Sequence, residues 1–220
     1  MSKSTLRLQR LREALASLGV GAWAVFHLWQ EWSGFKGRHV WEAHQSSGGE
    51  SAWRLIALLT LGLTPVIIVC SLDLILLRRR EGRARVARAL AENESLARRL
   101  LLIGTAATWS LAVFALYHAA WLSLPTLLGR SGPSATWSRL MDGLGTWPHA
   151  AAHAVGLTAL TIHLWQSVPR AALTFGRVER AETRRAIRAG GLVLGLTLLA
   201  LYAQLTGWFA AGAGTVWPMR

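Results

Sequence analysis

The sequence predicts an all-helical integral membrane protein with five crossings, on the strength of three observations. The 220-residue chain is 52% hydrophobic and only 16% charged. Positive charge alternates between the segments that join its apolar runs. Five runs lack Asp, Glu, Lys and Arg over the ~17–20 residues that a crossing needs. They are 14–30, 55–72, 100–129, 143–169 and 189–219.

The bounds of the five helices follow from these runs and from three prolines. Pro125 ends helix III, Pro148 is tolerated in the first turn of helix IV, and Pro169 ends helix IV. Tryptophans near the predicted outer ends form an aromatic belt. Within a single membrane domain of residues 1–220, the predicted helices cover 11–32, 53–77, 100–124, 148–168 and 189–209.

Arginine and lysine set the orientation. Eighteen of the 24 lie in the N-terminal segment, the second loop and the fourth loop, and six lie on the opposite side. Short loops rich in Lys and Arg stay in the cytoplasm, so we expect a cytoplasmic N-terminus and an outer C-terminus in a bacterial-type cytoplasmic membrane. The net charge of +13 then needs no nucleic acid. The 14 arginines of the two inner loops would face anionic lipid or an acidic protein partner.

Soluble-enzyme chemistry finds no support in the sequence. Cys70 is the only cysteine, which excludes an intrachain disulfide and a four-cysteine metal site. A serine-hydrolase elbow, a P-loop and a HExxH zinc motif are all missing from the sequence. We therefore predict no catalytic residue in this chain.

Three histidines, His27, His118 and His163, lie inside the apolar runs. An ionisable group in hydrocarbon is costly and marks a functional site, and imidazole is a haem and metal ligand. At ~1.5 Å per residue, His27 lies roughly 8 Å and His118 roughly 10 Å below the outer boundary. Both helices run outward, so the two rings can face each other. Helix IV runs inward and carries His163 into the inner half.

Each histidine also has a plainer interpretation, a hydrogen bond to a Ser, Thr or carbonyl on a neighbouring helix. We favour packing for His153, in the outer half of helix IV. The remaining three, His39, His44 and His149, lie in outer loops or at their edges and are more typical of solvated positions.

These features resemble the single-chain, five-helix cytochrome b subunit of succinate dehydrogenase and fumarate reductase. The resemblance rests on LQRLREAL near the N-terminus, on His27, and on the loop sequence WEAHQ. It continues with FALYHAAW around His118 and with VGLTALTIHLWQSVPRAALTFG around His163, the most specific segment. It extends over nearly the whole chain.

The resemblance implies axial haem b ligands. Helices I and III would hold an outer haem between His27 and His118, and His163 would be the helix IV ligand of an inner haem. The helix II partner is missing: counting from Pro65, its position falls on Val69, beside Cys70. One haem or two thus remains open.

Three further side chains have less specific assignments. Asp73 either pairs with the arginines at 78–80 or handles protons and contacts a quinone headgroup. The resemblance suggests that Glu42 and His44, in the outer loop, exchange protons with a quinone.

The resemblance also implies a function and partners. The chain would anchor a flavoprotein subunit and an iron–sulfur subunit, and would pass electrons between the latter and membrane quinone, without itself oxidising succinate. Two alternatives remain: a cytochrome b anchor of another dehydrogenase or hydrogenase, or a haem-free structural anchor or small transporter.

Overall fold

The computed structural model describes residues 3–46, 60, 63–78, 95–128, 130, 132–175 and 181–211, and these contain helices and turns but no strand. The all-helical prediction is confirmed for them. The α-helices are α1 (Lys3–Ala14), α2 (Val20–Glu31), α3 (Arg38–Ser46), α4 (Thr64–Arg78), α5 (Ser95–His118), α6 (Leu124–Leu127), α7 (Pro133–Leu144), α8 (Trp147–Phe175) and α9 (Ala181–Ala210).

Two helical stretches of the described chain are long and apolar enough to cross a membrane. They are Leu102–Leu122, which runs from α5 into the π-helical segment that follows it, and Glu182–Ala210, which is most of α9. A shorter apolar stretch, Thr64–Ile75, lies in α4. Residues 53–59, 61 and 62 of predicted helix II and the loop arginines of 79–94 lie outside the described residues.

Predicted helix I is a continuous rod with a π-helical segment, Leu15–Gly19, between α1 and α2. The Val20 N–H bonds to the Leu15 carbonyl, five residues back. Because that N–H would otherwise serve the Ala16 carbonyl, the π turn frees Ala16 O for other donors. A second π segment, Ala119–Ser123, joins α5 to α6.

Two helices extend beyond their predicted ends. The prediction that helix IV stops before Pro169 is wrong, since α8 continues through it to Phe175. Pro169 packs against Gly191 of α9, where an added Cβ would lie only 3.0 Å from the proline ring. Because glycine has no side chain, α9 can pack closely against α8 at Pro169. This packing stabilises α8 where the proline interrupts its backbone hydrogen bonds. Likewise, α9 begins eight residues before the predicted position 189.

Helix α8 is the centre of the bundle and packs against α9, α5, α1 and α7. The outer loops were predicted without helices, yet α3 and α7 form there and pack on each other. Trp41 and Trp137, expected in an interfacial belt, are instead 2% and 4% exposed and lie with ring centroids 5.4 Å apart. Together α3 and α7 cap the outer end of the bundle.

Candidate functional site

The outer site begins with His27 of α2 and His118, the last residue of α5. Their ring centroids are 5.4 Å apart and their planes lie at 82°. Trp23, one turn before His27, stacks on it at 5.4 Å and 7°. Tyr202 of α9 lies beside the same ring and anchors itself by donating to the Ala24 carbonyl at 2.7 Å. The predicted proximity of the two histidines is thus present, while their ligand role stays a prediction.

Unpaired polar atoms distinguish this cluster from ordinary packing. The Nδ1 atoms of His27 and His118 are buried without a hydrogen-bond partner, as is the indole Nε1 of Trp23. A buried polar atom without a partner costs about 1–3 kcal/mol. Such a group calls for an explanation, of which a missing ion or ligand is one.

The cluster opens onto a small, partly open cavity of about 70 Å³. Helices α2, α5, α8 and α9 form its walls, and α7 closes it from the outer side with Leu140 and Leu144. Its lining is mostly apolar, with polar contributions that include Glu31, Thr206 and the histidines. An apolar cavity with a few convergent polar groups is the common form of a cofactor or ligand site.

A third imidazole, His153 of α8, belongs to this cluster. Its ring centroid lies 5.4 Å from that of His118, at 69°. Its Nδ1 lies 2.9 Å from the His149 carbonyl, while its Nε2 is buried and unpaired. Sequence reasoning favoured packing for His153. Its depth along the outer half of helix IV was available as a signal, but its rotation toward His118 was not.

Aromatic rings enclose the side of the site that α5 and α8 form. Phe114 lies 5.2 Å from His153 and 5.6 Å from His118 between ring centroids. Trp121 stacks on His149 at 4.5 Å, and the Tyr117 hydroxyl is hydrogen-bonded to His149 Nδ1. These rings exclude water from the imidazoles, apart from His149 at the edge.

Gly156, one turn below His153, lets Phe114 approach the α8 backbone. A Cβ added at Gly156 would collide with the Phe114 ring. The glycine therefore shapes the wall of the cavity at the level of the histidines.

The outer residues match a haem in their donor chemistry, but the two imidazole rings contact each other directly and the cavity of about 70 Å³ beside them is too small for the macrocycle. A metal–imidazole bond is about 2 Å long, so the ring centroids of two axial ligands lie about 6 Å apart. The observed 5.4 Å is within about 1 Å of that separation. The match is therefore limited to the unpaired imidazole nitrogens and the apolar lining, since Phe114 fills the space beside Gly156.

His163 has a different environment. It is 4% exposed, and both of its nitrogens are used. Nε2 donates to the Ala16 carbonyl at 3.0 Å, which fixes the tautomer, and Nδ1 lies 3.1 Å from Thr108 Oγ1, whose hydroxyl is shared with the Gly104 carbonyl at 2.9 Å. Ser167 donates to the same carbonyl at 3.2 Å. The oxygen freed by the π turn thus ties α8 to the π-helical segment between α1 and α2.

The inner residues do not fit a second haem. A metal could reach a nitrogen of His163 only by displacing Ala16 or Thr108. On α4, Val69 is fully buried and offers no ligand, and Cys70 is 6% exposed. The inner-ligand assignment stays a prediction, and these contacts favour a structural role for His163.

Asp73 pairs with a residue far away in sequence, and the side chains of the arginines at 78–80 lie outside the described part of the chain. Arg12 Nε lies 2.8 Å from one carboxylate oxygen, and Arg12 Nη2 lies 3.2 Å from the other. Arg12 also contacts Glu13 at 3.0 Å. The side chains of Arg12, Glu13 and Asp73 are 12%, 7% and 19% exposed, so this ion cluster is largely buried. It fastens α1 to α4 at the inner end.

The two residues suggested for quinone lie on α3. Glu42 accepts from Arg38 Nε at 2.6 Å, and this bond is the main cause that lowers the pKa of the carboxyl. The side chain of His44 lies outside the described part of the chain. Glu42 is not among the described residues that line the cavity beside the outer histidines.

Comparison with known proteins adds no assignment to this geometry. No family model, curated protein or solved structure matches the chain.

Proposed function

We propose that this chain is a haem-binding membrane protein whose outer site holds one haem b between His27 and His118. The observation that carries the proposal is the close pair of imidazoles from two different helices, with unpaired nitrogens, beside an apolar cavity. Bound haem b supplies a one-electron redox centre. His27 and His118 would hold it axially, and Trp23, Phe114 and the α7 leucines would keep water away.

The sequence resemblance extends this proposal to a complex. The chain would be the membrane anchor of a succinate:quinone oxidoreductase or fumarate reductase, bound to a flavoprotein and an iron–sulfur subunit at the cytoplasmic face. Electrons would pass between the iron–sulfur subunit and membrane quinone. Residues 78–99 and the fourth loop, rich in arginine, supply a basic surface for that face.

We propose five crossings for the same chain. Helices α5, α8 and α9 have 24, 29 and 30 residues, and a helix of 20 residues already spans about 30 Å. Large apolar side chains on their outer faces are exposed, among them Val113, Val155 and Val193 at 65%, 59% and 62%. Such faces suit contact with lipid tails. Labelling of single cysteines placed at 48, 90, 131 and 178 in a Cys70→Ala background tests the alternation of sides.

A reduced-minus-oxidised absorption spectrum of the purified full chain tests the haem. We expect the α-band of a low-spin b-type cytochrome and one haem per chain. A folded chain without an α-band rejects the proposal. Two haems per chain would retain the site but contradict the argument against an inner haem.

A haem-free structural anchor is the second candidate. It is favoured by the direct contact of the outer rings, which are about 0.6 Å closer than two axial ligands would be on the ~6 Å estimate. The same spectrum separates the two candidates. A cytochrome b anchor of another dehydrogenase or hydrogenase would share the α-band, and co-purified subunits would identify it.

A further inference from the structure

We infer that the first turns of α9 bind the phosphate groups of anionic membrane lipids through Arg185 and Arg188. The inference rests on the proposed crossing of α9, with its first turns on the cytoplasmic side, and is independent of the proposed haem. The sequence left two occupants open for the basic inner surface, anionic lipid and an acidic protein. The placement of these two arginines on α9 favours lipid.

Both arginines lie on the same face of α9 as two exposed leucines. Arg185, Arg188, Leu192 and Leu196 follow one another at intervals of three, four and four residues, a spacing that lines one face of an α-helix. Leu192 and Leu196 are 39% and 50% exposed, and both arginines are exposed as well. Lipid tails would cover the leucines, so the headgroups of the same lipids come next along this face.

The depth of the two arginines matches the headgroup layer. The charge-free run of α9 begins at position 189. At ~1.5 Å per residue, Arg188 lies about 1.5 Å and Arg185 about 6 Å before that position. The headgroup region adds about 5–7 Å to each side of the hydrocarbon core. The backbone of both residues therefore lies at the level of the lipid phosphates, and an acidic protein would have to enter this layer to reach them.

The charge and chemistry of this segment select an anionic lipid. Residues 181–188 include three arginines and one glutamate. A guanidinium presents a planar fork of N–H donors that binds two phosphate oxygens at once, and its aliphatic stem packs along neighbouring apolar side chains. Phosphatidylcholine also carries a phosphate, but its ammonium group offsets the charge. The excess of positive charge on α9 should therefore prefer headgroups with a net negative charge.

Lipid binding to the purified full chain in detergent tests the inference. Native mass spectrometry gives the affinity for phosphatidylglycerol and for phosphatidylcholine in each variant. The test variant is Arg185→Gln with Arg188→Gln. The matched control, Lys36→Gln with Arg38→Gln, removes two charges from exposed residues near the outer end.

We expect the wild type and the control to bind phosphatidylglycerol more tightly than phosphatidylcholine. The test variant should lose phosphatidylglycerol affinity by roughly 5-fold for each arginine removed, with phosphatidylcholine affinity unchanged. Arg185→Lys with Arg188→Lys keeps both charges and should retain most of the preference. Added salt should weaken phosphatidylglycerol binding to the wild type, because it screens exposed charges.

Equal affinities of the wild type for the two lipids overturn the inference, as does phosphatidylglycerol binding that persists in the test variant. If that variant binds lipid normally but loses a co-purified acidic subunit, the occupant is a protein and the inference is wrong. Labelling of a cysteine at 178 from the outer side would contradict the crossing of α9 and the inference together. A chain that selects phosphatidylglycerol through these arginines but contains no haem rejects the proposed haem site and leaves this inference standing.

Discussion

The outer and inner groups of buried histidines differ in what their nitrogens contact. In the outer cluster, His27, His118 and His153 each have a buried nitrogen with no partner. In the inner half, both nitrogens of His163 are hydrogen-bonded, one of them to a carbonyl freed by a π turn. Both groups are buried histidines, so hydrogen bonding is what distinguishes a candidate ligand site from a structural contact between helices.

This difference has an energetic meaning. Each unpaired buried nitrogen costs about 1–3 kcal/mol, and three in one cluster are a burden that a bound metal would relieve. The satisfied inner histidine needs no ligand. Mutations in the two regions should therefore affect different properties. Those in the outer cluster should lower the amount of bound cofactor, and those in the inner group should lower the stability of the fold.

The largest expected effect is the loss of haem from the outer cluster. His27→Ala removes the only described imidazole on its side of the site, so bound haem should fall at least ~10-fold. His39→Ala, an exposed histidine on α3, is the control and should bind normally. Pyridine haemochrome assay of the purified chains measures both. Equal haem content in the two variants would show that His27 is not a haem ligand.

The next effect concerns the inner ion cluster. Arg12→Ala leaves the buried carboxylates of Asp73 and Glu13 without their cation, and we expect a loss of about 3–5 kcal/mol in unfolding free energy. Arg38→Ala breaks a pair whose arginine side chain is 49% exposed and should change stability little. Unfolding in mixed detergent micelles compares them. If Arg12 and Arg38 prove equivalent, the buried cluster does not fasten α1 to α4.

His163→Ala should lower stability by about 2 kcal/mol, because the Thr108 and Ala16 groups lose their partner. The haem spectrum should stay as in the wild type. The low-spin absorption band and the unfolding midpoint of the His163→Ala protein can be measured on the same sample. Loss of a spectral component together with half of the haem would identify His163 as a ligand and contradict the structural role.

The sequence was sufficient for what depends on distance along a helix. Apolar runs gave the helices, and a fixed rise per residue gave His27 and His118 a common depth. Rotation about a helix axis is less constrained by sequence, so the approach of His153 to His118 was missed. The contact of Asp73 with Arg12, 61 positions away, was also missed, while the predicted pairing with the arginines at 78–80 falls outside the described side chains.

Local backbone departures were beyond sequence reasoning for a related reason. Nothing in Leu15–Gly19 signals a π turn, because the turn is stabilised by His163 and Ser167 on another helix. Helix α8 continues through Pro169 because Gly191 allows close contact on α9. In each case a tertiary contact, and not local propensity, determines the backbone.

The smallest expected effect concerns Gly156, which lies in the wall of the outer site. Gly156→Ala should force the Phe114 ring off its rotamer, at about 1 kcal/mol, and should shift the haem spectrum because that ring contacts His118 and His153. Gly190→Ala is the matched control: no atom lies within 4 Å of its added Cβ, so alanine should stabilise α9 by about 0.5–1 kcal/mol. Adding Phe114→Leu should restore the stability of Gly156→Ala. If the spectrum does not move while stability falls, Phe114 packs against α8 without shaping the cofactor site, and the cavity wall lies elsewhere.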